Sequence, residues 1–172
     1  VRPTREGLTR ETMMRNARDA AVSLGFSEAL TFGFVTPKVL ATLGAPESTV
    51  VLANPLSEMH SVMRTNILPG VLEAVGRARR HGVDDVRLFT IGTVFLASID
   101  KGPKPLPKEV LTLGAAWCGH EHPWLAHARS VDPWDLTGLA EGLVERLVRR
   151  RPTIQAFESA SRPSRLHPRA AA

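Results

Sequence analysis

The sequence is poor in cysteine and in aromatic residues. Cys118 is the single cysteine among 172 residues, which excludes an internal disulfide and fits a reducing cytoplasm. Tyrosine is absent and aromatic residues make up 5% of the chain, so stacking platforms for single-stranded bases are scarce. No apolar run approaches the length of about 18 residues that a membrane-spanning helix needs. We therefore expect a cytoplasmic protein without a membrane segment.

The common catalytic and nucleotide-binding motifs are also missing. The sequence contains no P-loop, no GxGxxG, no HExxH and no GxSxG pattern. Four zinc-type donors do lie close together in the sequence, namely Cys118, His120, His122 and His127. Their spacing matches no familiar structural zinc site, and an extended segment does not prearrange a tetrahedron of ligands. A solvated loop with incidental histidines is the favoured interpretation, and a zinc enzyme is the alternative.

Four carboxylates near the end of the chain have a simple structural interpretation. Asp132 and Asp135 lie at the predicted N-terminal end of a helix, where negative charge is favourable. Glu141 and Glu145 form an i, i+4 pair on the solvent-exposed face of the same predicted helix. We therefore predict no catalytic, cofactor-binding or metal-binding residue in this chain.

The chain carries a moderate positive charge. Its 22 basic and 17 acidic residues give a net charge of +5, which favours an anionic partner such as nucleic acid. Arginine-rich runs at 77–80 and 149–151 are candidates for binding RNA phosphates. Both runs also end predicted helices, where cations are favourable without any ligand. A basic RNA-binding module and a solvated arginine-rich surface both remain open.

Hydrophobic periodicity and turn residues predict an α+β fold. The first half of the chain is predicted to form a helix from Thr9 to Gly25, a strand over 26–35, a short helix from Pro37 to Gly44 and a buried strand over 50–52. A helix from Gly70 to the basic turn at 77–82 follows, and then strands over 86–95 and 110–119. The last predicted elements are a helix from Asp132 to Pro152 and a strand near 154–157. Residues 100–108 and 120–130 are predicted loops. This order favours a largely antiparallel sheet over a doubly wound parallel one.

The stretch NPLSEMHSVMRTNILPGVL (54–72) carries the densest pattern in the chain. It is predicted to form a strand, a loop and then a helix that begins after Pro69 and Gly70, with Arg64 at the junction. An arginine there can pair with a carboxylate or carbonyl across a subunit boundary, or form an ion pair within its own chain. Both alternatives remain open.

Several blocks together resemble one known family. They are NPLSEMHSVMRTNILPGVL (54–72), RLFTIGTVF (87–95), the run Asp132-x-x-Asp135-Leu-x-Gly138 and the closing Leu166-His167-Pro168, along with LTFGFV (30–35) and the leading helix. In order and spacing they are similar to the catalytic-like module of the bacterial phenylalanyl-tRNA synthetase beta subunit. The resemblance covers nearly the whole chain, and the first block is its specific part.

The resemblance implies a fold and an assembly. It implies a class II aminoacyl-tRNA synthetase-like antiparallel sheet flanked by helices, with residues 1–172 forming a single module truncated at both ends. It also implies a heterotetramer of two alpha and two beta subunits that aminoacylates tRNA with phenylalanine, in which ATP and Mg²⁺ serve the whole enzyme and not this module. Catalysis would belong to the alpha subunit, and this module would be a scaffold packed on it.

Departures from the family pattern accompany the resemblance. Thr90 stands where the family usually has Glu, Thr137 replaces a basic residue, and Arg169 replaces the glycine of an HPG turn. The candidate interface or structural residues are Asn54, Pro55, His60, Arg64, Thr65, Pro69 and Gly70. The alternative function is a stand-alone basic RNA-binding module, for which steeply salt-dependent tRNA binding is expected.

Overall fold

The computed structural model describes residues 9–48, 50–55, 57–98, 106–121 and 127–153. The chain divides into two compact units, one made of residues 25–119 and the other of residues 1–24 with 120–172. The expectation of a single module over 1–172 is not tested by this division and stays a prediction. Within the described ranges, no helix is both long enough and apolar enough to cross a membrane.

A three-stranded sheet forms the centre of the 25–119 unit. Strands β4 (Val86–Leu96) and β5 (Lys108–Cys118) pair antiparallel along their whole length. The short strand β1 (Ser27–Glu28) pairs with β4 in parallel. The sheet is therefore largely antiparallel, as predicted, and the two long strands start and end within two residues of their predicted positions.

The strand predicted over 26–35 is interrupted. It consists of β1 and a second short strand, β2 (Phe34–Val35), which pairs antiparallel with β3 (Val62–Met63). The residues between them are irregular; there the Thr31 hydroxyl contacts the Thr90 hydroxyl and the Arg64 guanidinium, while Leu30 and Phe32 are exposed. The prediction of one continuous apolar strand was wrong for this middle part.

A small core lies beside β2 and β3. Helix α2 (Pro37–Thr42) forms as predicted, with Thr36 as its N-cap, and it buries Leu40 against Val35 and Val62. The buried strand predicted at 50–52 is absent. Val51 forms an isolated bridge to Val62, with two backbone hydrogen bonds beside it, and its side chain is exposed.

Helix α3 (Leu68–Arg80) packs against both long strands and begins earlier than predicted. The side chain of Asn66 accepts a hydrogen bond of 2.9 Å from the backbone N–H of Leu68, so the helix starts before Gly70. Pro69 occupies the first turn, where its missing N–H is not needed. The last turn of the helix is basic, as predicted. Gly82 follows it with a positive φ of 81°, a conformation that glycine adopts readily.

The second unit is built on two helices that pack together. Helix α1 (Arg10–Ser23) is capped by Thr9, as predicted, and contacts helix α4 (Pro133–Val148). Helix α4 ends at Arg149 in a left-handed conformation, so Pro152 lies beyond the helix and does not terminate it. The predicted 120–130 loop contains a pair of short strands, β6 (His120–Glu121) and β7 (Arg129–Ser130). The strand predicted near 154–157 and the Leu166–Pro168 block lie outside the described residues.

Candidate functional site

Residues 54–72 run from the surface to the core of the 25–119 unit. Asn54 and Pro55 are exposed, and Leu56 lies outside the described residues. A single 3₁₀ turn (Glu58–His60) follows, and strand β3 then delivers Arg64 to the interior. The predicted order of extended segment, loop and helix is present, but the residues at its centre are buried and do not present polar groups to solvent.

Arg64 is the buried centre of a hydrogen-bond network. The side chain is 6% exposed, and its Nε donates to the carbonyl of Thr93 over 2.9 Å. Nη1 donates to Thr31 Oγ1 at 2.9 Å and to the carbonyl of Phe32 at 3.2 Å. Burial lowers the pKa of the guanidinium, because removing the charge from water disfavours its protonated form.

The partners of Arg64 bear on one of the two roles considered from the sequence, the ion pair within its own chain. Those given above are neutral oxygen atoms of its own chain, so the intramolecular ion pair is not the arrangement that forms among the described residues. The backbone adds two further bonds, from Arg64 N–H to the Gly33 carbonyl and from Phe95 N–H to the Arg64 carbonyl. Arg64 therefore fastens the 30–33 segment to strand β4.

Thr90 extends this network on the β4 side. Its hydroxyl lies 3.3 Å from the hydroxyl of Thr31, and the side chain is buried. Gly92 makes room for the guanidinium, because a Cβ at position 92 would overlap Nη2 of Arg64. On β4, Thr90 thus adds a neutral hydroxyl to the network, and Gly92 leaves space for the guanidinium.

Thr65, Pro69 and Gly70 have structural positions in the same unit. The Thr65 hydroxyl donates to the carbonyl of Pro46 over 2.5 Å, and Thr65 and Pro69 are buried. A Cβ at Gly70 would lie 2.7 Å from Cβ of Thr31, so glycine allows helix α3 to approach the 30–33 segment closely. These three residues offer a partner little surface.

The outward side of the 30–33 segment is apolar. Leu30 is 96% exposed and Phe32 is 71% exposed, and Met59 beside them is exposed too. Phe32 meets the ring of His60 edge to face at 5.3 Å, and His60 Nδ1 lies 3.1 Å from Ser57 Oγ. Leu30, Phe32, Met59 and His60 border a groove of about 640 Å³ that continues to helix α3. Apolar side chains exposed to this degree in one place are typical of an interaction surface.

The basic run at the end of α3 is partly neutralised by carboxylates of the same chain. Arg77 lies 3.2 Å from Glu73, and Arg79 lies 3.3 Å from Asp84. At the end of α4, Arg151 lies 3.9 Å from Glu145. These pairs leave less unopposed positive charge than the two sequence runs suggested.

The zinc-type donors do not form a metal site in the part of the chain that is described. Within it, no group of three or more His, Cys, Asp and Glu side chains could hold a metal ion. Cys118 is half-buried, and its thiol approaches the Asp84 carbonyl at 4.0 Å, while His127 is exposed. His122 lies outside the described residues, so the four-donor hypothesis is tested only in part.

The carboxylates of the second unit bind an arginine that the sequence did not single out. Asp132 and Asp135 form a capping box at the start of α4, which confirms the structural interpretation. Arg129 bonds to Asp135 with both terminal nitrogens and to Glu121 over 2.5 Å. The hydrogen bond to Asp135 raises the pKa of Arg129. The short β6–β7 pair is thereby fixed to the helix terminus.

Comparison of the sequence with known proteins shows its family. Residues 1–172 match the family model described as the phenylalanyl tRNA synthetase beta chain CLM domain. The chain is 36% identical over 151 residues to the phenylalanine–tRNA ligase beta subunit of Geobacter sulfurreducens, covering 84% of the chain and 18% of that protein. For the beta subunit of Moorella thermoacetica, identity is 34% over 161 residues, covering 90% and 19%. The chain thus spans about a fifth of these relatives.

Solved structures show the fold. A pyrrolysyl tRNA synthetase, PylSc of Desulfitobacterium hafniense, is similar with a TM-score of 0.57 at 19% identity, covering 91% of this chain and 51% of that one. The asparaginyl-tRNA synthetase of Pyrococcus horikoshii gives 0.50 at 19% identity, covering 81% and 26%. The predicted class II synthetase-like α+β fold is confirmed. Since the family model matches all 172 residues, the chain belongs to the phenylalanyl-tRNA synthetase beta chain CLM domain family.

Proposed function

We propose that this chain is a non-catalytic scaffold within a phenylalanine–tRNA ligase, and that its 30–33 segment packs on the alpha subunit. The observation that carries the proposal is the contrast between the two sides of that segment. Its inner side is bound by Arg64, and its outer side exposes Leu30 and most of Phe32. A segment fixed in position before binding loses little conformational entropy when a partner covers it, which favours association.

The central sheet supports a structural role. Arg87 lies over the ring of Trp117 at 4.0 Å, and Phe26 meets the same ring edge to face. Thr90, at the position where the family usually has Glu, is buried in the Arg64 network. Arg87 and Thr90 of β4 are thus engaged in contacts within their own chain. ATP and Mg²⁺ would act elsewhere in the whole enzyme.

The assembly follows from family membership as a further part of the proposal. Curated relatives are beta subunits, so the partner we propose is the alpha subunit of the same ligase, in a heterotetramer of two alpha and two beta subunits that acts on tRNA. Within the candidate set, Asn54, Pro55 and His60 have surface to offer a partner. Arg64, Thr65 and Pro69 are buried and would act by holding that surface in place.

Leu30→Asp tests the proposed surface. We expect it to weaken binding to the alpha subunit by roughly 30-fold or more, because a charge would replace an apolar contact at the centre of an interface. The measurement is titration of the purified alpha subunit by a change in fluorescence anisotropy, with size-exclusion chromatography of the same mixtures. Leu106→Asp is the matched control, because Leu106 is 82% exposed but does not border the groove.

The outcomes separate the proposal from a general effect of charge. Equal binding by Leu30→Asp and the unchanged chain would refute packing through the 30–33 segment. Equal loss in Leu30→Asp and Leu106→Asp would also count against it. If the unchanged chain is folded but forms no complex with the alpha subunit, the scaffold function itself is refuted.

The rival function, a stand-alone RNA-binding module, has weaker support. Arg77 and Arg79 are paired with carboxylates of their own chain, which reduces the charge available to phosphates. We expect only weak tRNA binding by this chain in filter-binding assays. Tight binding with a steep dependence on salt concentration would favour the rival.

A further inference from the structure

The groove beside the 30–33 segment has an apolar floor and one basic end. Leu30, Phe32 and Leu72 contribute exposed apolar surface along it. At its end, near the C-terminus of helix α3, it is bordered by Arg77 and Arg80. An occupant must therefore be apolar along most of its length and compatible with positive charge at one end.

The two arginines at this end differ in their partners. Arg77 lies 3.2 Å from Glu73, which also borders the groove, so this pair is close to neutral. Arg80 is exposed and forms no hydrogen bond or ion pair with any described residue. Arg79, next to it, is bonded both to the carboxylate and to the carbonyl of Asp84. Among the described residues, Arg80 therefore has no counter-charge at the point where it borders the groove.

We propose that the groove binds an apolar segment of the partner subunit that carries a carboxylate, and that this carboxylate pairs with Arg80. The inference rests on the proposed function and adds the chemistry of the partner segment to it. A basic segment would be repelled by Arg80, and an uncharged polar segment would make few apolar contacts with the floor of the groove. An acid paired with the planar guanidinium would also fix the register of the segment in the groove.

Charge reversal at Arg80 tests this pairing. In the full-length beta chain with its alpha subunit, Arg80→Glu should weaken binding by about tenfold or more, since a favourable pair becomes a repulsive one. Arg80→Gln should weaken it less and should also flatten the dependence of the dissociation constant on salt concentration. Arg150→Glu is the matched control, because Arg150 is exposed near the end of α4 and does not border the groove.

Each outcome bears on the inference. Loss of affinity in Arg80→Glu with near-normal affinity in Arg150→Glu supports it. Equal affinities for the two variants overturn it, while complex formation by the unchanged chain would still uphold the proposed function. An unaltered salt dependence in Arg80→Gln also overturns it. Circular dichroism melting of each variant identifies any loss of fold, which an exposed arginine should not cause.

Discussion

Replacing Arg64 with methionine is expected to lower the free energy of unfolding of the chain by about 3 kcal/mol. Methionine fills much of the same volume but donates no hydrogen bond. The carbonyls of Thr93 and Phe32 and the hydroxyl of Thr31 each lose a donor in a partly buried region. Each loss of a donor to a buried polar group costs about 1–3 kcal/mol.

An opposing effect reduces that sum. Burial of the guanidinium has a desolvation cost, visible in its lowered pKa, and methionine removes it. We therefore expect the free energy of unfolding to fall by much less than the summed upper values for the three hydrogen bonds. Arg64→Lys keeps the charge but has no planar fork, so it should lose about 2 kcal/mol.

Urea denaturation followed by circular dichroism measures both variants. Arg15→Met is the control, since Arg15 is exposed on α1 and its pair with Glu11 is an open i, i+4 contact of 3.5 Å. A control change within about 0.5 kcal/mol is expected. If Arg64→Met is as stable as the unchanged chain, the network does not hold the 30–33 segment, and the proposed preorganisation of that segment would have no basis.

Gly92→Ala is expected to destabilise the chain by about 2–3 kcal/mol, although alanine normally stabilises extended backbone relative to glycine. The added Cβ would overlap Nη2 of Arg64 and would lie 3.2 Å from its Cζ. The guanidinium cannot move aside freely, because three hydrogen bonds hold it. Thermal and urea unfolding measure the cost.

A double-mutant cycle shows whether this clash is the cause. In the Arg64→Met background Nη2 is gone, so Gly92→Ala should cost at least about 1 kcal/mol less than in the original chain. Gly138→Ala is the matched control, since a Cβ at this helical position meets open space. It should stabilise the chain by about 0.5–1 kcal/mol. Additive effects in the cycle would contradict the geometry.

Local signals were enough to predict most of the elements. The cap at Thr9, the carboxylates at Asp132 and Asp135 and the alternation over 86–95 each act within a few residues, and each element begins where predicted. The interrupted 26–35 strand was missed because its course depends on a distant arginine that binds Thr31. Hydrophobic periodicity along one segment contains no information about such a partner.

The candidate site was predicted in part. The sequence identified Arg64 as the central side chain, but it could not show that the arginine points inward under the sheet. A usable signal was present in Gly92 and Gly114, because glycine inside a strong strand often marks a close approach. Gly92 accommodates Arg64, and Gly114 accommodates Ile67. The exposure of Leu30 and Phe32 had no such signal, because apolar strand residues are more often buried.

Hydrogen–deuterium exchange in the presence and absence of the alpha subunit tests the central claim most directly. Backbone amides of residues 30–33 and of the neighbouring turn (Glu58–His60) lie on the proposed interface. We predict that their exchange slows by about tenfold or more in the complex, since covered amides lose contact with water. Exchange at the start of strand β5 should stay unchanged. A complex that forms without added protection over residues 30–33 would contradict the account.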